Sequence, residues 1–124
     1  ETSFSDYVAQ NNIDVRLPLV ADYNGINVNV SIQDASKQEV ALYAPVFEGV
    51  EYQFATPVAD YVSAFDQAIK TMDTEKSAFS CNCILNYLYS ELEGKKTLTG
   101  PITFGEIAYQ LLNQTLVYMT LENQ

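Results

Sequence analysis

Between Ile26 and Ile32 the chain alternates without a break, Ile26, Val28, Val30 and Ile32 standing against Asn27, Asn29 and Ser31. A period of two marks a strand with one buried and one wet face. Asn24-Gly25, just ahead, is the dipeptide that most readily takes the positive φ angles of a tight hairpin. Before it, Ile13, Val15, Leu17 and Leu19 alternate with Asp14, Arg16 and Pro18, predicting a strand that Pro18 confines to an edge or a bulge. Asp34 to Lys37 reads as a turn, Glu39 to Phe47 as a third strand, and Glu48-Gly49 as another turn. Val50, Tyr52 and Phe54 then oppose Glu51 and Gln53 in a fourth strand. The first half is therefore expected to be a four-strand antiparallel meander, preceded by a short helix over Ser3 to Gln10 with Phe4, Tyr7 and Val8 on one side.

The period changes after Thr56-Pro57. Val58, Val62, Phe65, Ile69 and Met72 recur at steps of three and four, a helical stripe expected to pack on the sheet, with Thr56 as cap and Pro57 in the first turn. Ser77 to Cys81 reads as a short strand, and Cys83 to Glu93 as a second helix with Ile84, Leu85, Leu88 and Leu92 inward and Gly94 ending it. Thr103-Phe104-Gly105-Glu106 has the spacing of a capping box, which predicts a third helix through Leu112. A strand from Thr115 to Glu122 closes the chain. Together these elements predict one α+β domain over residues 1–124: a mostly antiparallel sheet, four strands early and two late, with two to three helices on one face.

Composition narrows the function. The 124 residues are 48% hydrophobic and 18% charged, as in folded globular proteins. Six basic residues stand against 16 acidic ones, a net charge of −10, which disfavours nucleic acid and anionic membrane surfaces as partners. No apolar run reaches the roughly 18 residues of a membrane span. Beginning at Glu1 rather than Met, the chain reads as a trimmed piece. It has no histidine, which removes Ser-His and Cys-His catalytic pairs and the commonest metal ligand. Two cysteines do not make a disulfide framework and fit a reducing, cytoplasmic setting.

Candidate chemistry is sparse. Cys81 and Cys83 supply two soft ligands where a zinc site needs four. They read either as small packing residues at a strand–helix junction or as a thiolate favoured by a helix N-terminus. Glu106 is either the closing residue of the capping box or a carboxylate in a pocket, with Gly105 letting a ligand approach the backbone. Nine tyrosines, among them Tyr87, Tyr89 and Tyr109, suit either half-buried packing or the wall of a small-molecule pocket or subunit interface.

The stretches "AFSCNCILNYL", "GPITFGEIAYQ" and "NQTLVYMTL" resemble the closing part of the FIST C-terminal domain. In that family a strand ending in F-S-C runs into a helix, a G-x-x-x-x-G-E segment follows, and an N-x-T strand ends the domain. Upstream, "VRLPLV" and "YAPVFEGVEYQFATPVADYVSAFDQAI" look like its strand pairs, glycine turn and helix, so the likeness runs over about residues 13–121. It is best at Cys81, Gly100, Gly105, Glu106, Asn113 and Thr115. The resemblance implies a non-catalytic sensory input module for small ligands such as amino acids, without a cofactor, in which Cys81, Gly105, Glu106, Asn113 and Thr115 neighbour the ligand. A small homodimeric scaffold is the alternative, and a thiol enzyme using Cys81 or Cys83 with Glu106 a third.

Overall fold

A computed structural model describes residues 2–36, 38–73, 76–95, 99–107 and 109–122. The chain has the expected α+β character, with three helices and mostly antiparallel strands among the described residues, and divides into two compact units, Glu1–Pro57 and Val58–Gln124.

In the first unit α1 (Phe4–Gln10) is capped by the Ser3 hydroxyl, which accepts from the Asp6 amide. Strands β1 (Leu19–Tyr23) and β2 (Ile26–Val30) form the hairpin that Asn24-Gly25 predicts, with φ of 57° and 86° at the two turn residues. In this register Leu19 lies opposite Val30 and Tyr23 opposite Ile26. β3 (Ile32–Asp34) pairs with β4 (Ala41–Leu42), and β5 (Gln53–Phe54) returns to the other side of β1, giving the order β2-β1-β5. Leu19, Val30 and Ala44 are buried together, with Leu42, Tyr52 and Phe54 packed on them. Burying Leu19 or Val30 is worth roughly 2 kcal/mol each.

The strand expected from Ile13 to Leu19 forms only from Leu19 onward. Asp14 is the reason: its carboxylate accepts from the Arg16 amide and its carbonyl from the Leu17 amide, closing a turn where a ladder would need those groups outward. The third strand is likewise cut to Ala41–Leu42, because Pro45 has no amide to continue the pairing. The expected turn at Asp34 is held by its carboxylate, which accepts from the Ser36 amide, while Lys37 lies outside the described residues.

The second unit opens with α2 (Tyr61–Lys70), which starts four residues after the expected start at Pro57. Asp60, not Thr56, caps it, accepting from the Val62 amide and the Ser63 hydroxyl, which holds the Asp60 carboxyl below its ordinary range. β6 (Ser77–Cys83) runs two residues past the prediction into α3 (Ile84–Tyr89). α3 stops early because Glu91 already takes a left-handed φ of 51°, and Gly94 follows at 72°. β6 is the middle strand of the order β10-β6-β7, antiparallel to β10 (Leu116–Thr120) and parallel to β7 (Ile102–Thr103). The helix expected from Thr103 is instead a small hairpin of β8 (Glu106–Ile107) and β9 (Gln110–Leu111), with Ile107 opposite Gln110.

Gly100 lies where a Cβ would run into the Ser80 backbone carbonyl of β6, whereas a Cβ at Gly94 meets open space. We therefore expect Gly94→Ala to cost about 1 kcal/mol, the strain of its left-handed φ. Gly100→Ala, which must push strand backbone aside, is expected to cost more than about 2 kcal/mol, both read from urea unfolding midpoints.

Candidate functional site

Two places in the fold gather chemistry-bearing side chains, one in each unit. The second-unit place holds the residues named from sequence. Cys83 is fully buried at the start of α3, and its amide donates to the Thr115 carbonyl at 3.0 Å. The Thr115 hydroxyl donates to the Asn113 carbonyl at 2.9 Å. Asn113 is itself fully buried, and its side-chain nitrogen stands 3.0 Å from where a Cβ on Gly105 would be. Gly105, with φ of 112°, is thus the residue that lets Asn113 sit against the backbone. The chain brings Gly105, Asn113 and Thr115 together as a packed polar junction.

Cys81 and Glu106 stand apart from that junction. Cys81 is half-buried in mid-β6, opposite Val117. Glu106 is exposed, and its carboxylate accepts from the Phe104 amide at 3.0 Å. The Thr103 hydroxyl accepts from the Gly105 amide, so the capping-box residues satisfy turn amides rather than a helix start. The N-cap position of α3 is held by Cys83, which makes no side-chain capping bond. Among the described residues no group of three or more His, Cys, Asp or Glu could hold a metal ion.

Beside the junction lies a hollow of about 40 Å³, room for a water molecule but not for a metabolite. Phe65 and Ile69 of α2, Ser80 and Asn82 of β6 and Ile102 of β7 wall it, and none of the five sequence-named residues does. Asn82 in its lining ends a relay: the Tyr61 hydroxyl donates to Asn86 Oδ1 at 2.9 Å, and Asn86 Nδ2 donates to Asn82 Oδ1 at 3.2 Å. Burial, with Tyr89 and Cys83 nearby, pushes the Tyr61 phenol up to about 12.

The first-unit place was not anticipated. A hollow of about 550 Å³ opens directly on the core cluster, with Leu19, Leu42, Tyr52 and Phe54 as its floor. Phe4 and Tyr7 of α1 form one wall, and Val46 and Phe47 of the loop before Glu48-Gly49 form the other. Phe4 stacks on Phe54 with ring centroids 6.1 Å apart, which holds α1 against β5. The Tyr52 hydroxyl is shared with Tyr23 at 2.6 Å and accepts from the Phe47 amide at 3.2 Å, fixing floor and wall together. That hydrogen bond also pushes the Tyr23 phenol up. A second hollow of about 530 Å³ on this unit is polar, with Asp22, Asn24, Glu51 and Gln53 in its lining. Pockets that hold small molecules are mostly apolar with a few placed polar groups, which favours the aromatic hollow. Sequence reasoning assigned its residues to strands and to a helix face. The signal was there in Phe4 and Tyr7, more aromatic surface than a seven-residue helix needs, and in Pro45 breaking the strand before Val46-Phe47.

Two outcomes follow from these environments. Native Tyr61 holds its proton more tightly than an unfolded tyrosine with its ordinary value of 10.0, so stability is expected to fall as pH rises from 10 to about 12. Tyr61→Phe should flatten that part of a denaturation-against-pH curve. Thiol reagents should modify Cys83, which has no exposed surface, only as fast as the chain unfolds, with Cys81 the sole native target.

Comparison with known proteins gives a family but no activity. No curated protein and no solved structure matches the chain. One family model matches residues 1–122, spanning both compact units. The chain belongs to that family, described as a family of unknown function, DUF6976.

Proposed function

We propose that this chain is a non-catalytic module that binds a small molecule in the aromatic hollow of its first unit. The carrying observation is the 550 Å³ hollow set on the Leu19–Val30–Ala44 core. Its volume falls within the range of roughly 300–1,000 Å³ common for ligand pockets. Its walls are exposed while its floor is packed: Phe4, Tyr7, Val46 and Phe47 are each between 41% and 56% exposed. Apolar side chains left in a concave wall over a finished core gain by covering, and a ligand supplies the cover. A sensory role, with amino acids or similar metabolites among the ligands, is carried over from the FIST resemblance and belongs to this proposal.

The non-catalytic part rests on the chemistry around the hollow. Among the described residues its lining holds no nucleophilic cysteine, no carboxylate and no cation, and the hydroxyl of half-buried Tyr52 is engaged with Tyr23 and the Phe47 amide. Binding to the native state alone raises the unfolding temperature in proportion to the logarithm of ligand over Kd. A thermal-shift screen across amino acids and uncharged and charged metabolites should give a concentration-dependent rise with at least one compound. Flat curves across the panel at millimolar concentration would contradict the proposal.

A further inference from the structure

We propose that the first-unit hollow selects an uncharged, flat aromatic molecule, an inference that rests on the small-ligand reading of that site. The chain carries 16 acidic residues, yet among the described residues no charged side chain lines this hollow. An anion approaching it meets the field of a net charge of −10. A cation is drawn to the surface but finds no carboxylate among the described lining residues, and the faces of the rings return only part of the hydration it gives up on entering. Neutral molecules bear neither cost.

Shape follows from the side chains. Phe4, Tyr7, Phe47, Tyr52 and Phe54 make five of the nine lining residues aromatic. Rings favour offset-stacked or edge-on contact with another ring, so a planar guest matches these walls better than a branched aliphatic one. The walls are also held in place before any guest arrives. Phe4 is stacked on Phe54, and the Phe47 amide is tied to the Tyr52 hydroxyl. Little ordering is then lost on binding. That hydroxyl is already occupied, so a polar edge on the guest meets the Gln53 amide or the Tyr7 hydroxyl instead, donor and acceptor groups both carried by the lining.

Three fluorescent probes of similar size test this on the full chain: Nile red, which is uncharged and planar; anilinonaphthalene sulfonate, an anion; and acridine orange, a cation. Nile red is expected to bind at one site per chain and to resist displacement by the other two. Phe47→Ser should weaken it about tenfold, the loss of one aromatic contact. Tyr7→Ser, on the opposite wall, should weaken it similarly, and both residues are exposed enough that the fold does not depend on them. Tyr118→Ser, in the second unit, should leave binding unchanged. Binding of a charged probe alone, weakened by Phe47→Ser, would overturn the neutral-ligand inference and leave a small-ligand site standing. Failure of all three probes would overturn the site itself. A dimer by light scattering that Phe47→Ser converts to monomer would assign the hollow to a second copy of the chain and overturn both.

Discussion

The first unit depends on one register. Leu19 pairs with Val30 on one side of β1 and with Phe54 on the other, so a single residue of the buried cluster joins three strands. A slip of one residue would turn Leu19 and Ala21 outward and bring Val20 and Asp22 in, a loss no other contact in this small unit could offset. The two-residue turn at Asn24-Gly25 fixes that register from one end, because its backbone twist matches the strands it joins. Once β1 is set, Tyr52 and Phe54 must lie over the core, and the Tyr52 hydroxyl reaches both Tyr23 and the Phe47 amide. The hollow is a consequence of this order, since α1 and the Val46–Phe47 loop are attached at its two sides without filling the space between them.

The second unit is organised around β6 in the same sense. It is antiparallel to β10 and parallel to β7, and Gly100 lets the chain pass against Ser80 on its way into β7. Its polar residues are spent on closing the structure. Asn113, Thr115, Gly105 and Cys83 lock the start of β10 to the end of β6, and Glu106 holds a turn amide. Such a junction is well suited to fixing a strand and has little room for a guest.

The contrast explains what was legible. The hairpin, α1, β6 and the last strand were readable because each carries its own local determinant: positive-φ turn residues, a serine cap, or unbroken alternation. The misread segments each satisfied two patterns at once. Ile13 to Leu19 alternates like a strand, but Asp14 offers the backbone a nearer partner than a neighbouring strand could. Thr103 and Glu106 have the spacing of a helix cap, yet the same oxygens serve the amides of Gly105 and Phe104 in a turn. Asp60 competed with Thr56 for the start of α2 and won through a second bond, to Ser63. The aromatic hollow was invisible for a different reason: its nine residues span positions 4 to 54, and only the pairing of β5 with β1 brings them together.

The central claim is that binding belongs to the first unit, over the Leu19 core. Backbone amide shifts of the isotope-labelled chain, followed while Nile red is titrated in, test it most directly. The account predicts saturating changes confined to Phe4, Tyr7, Val46, Phe47 and the Tyr52–Phe54 segment. Changes centred on Cys81 and Gly105 to Thr115, with the first unit silent, would contradict it.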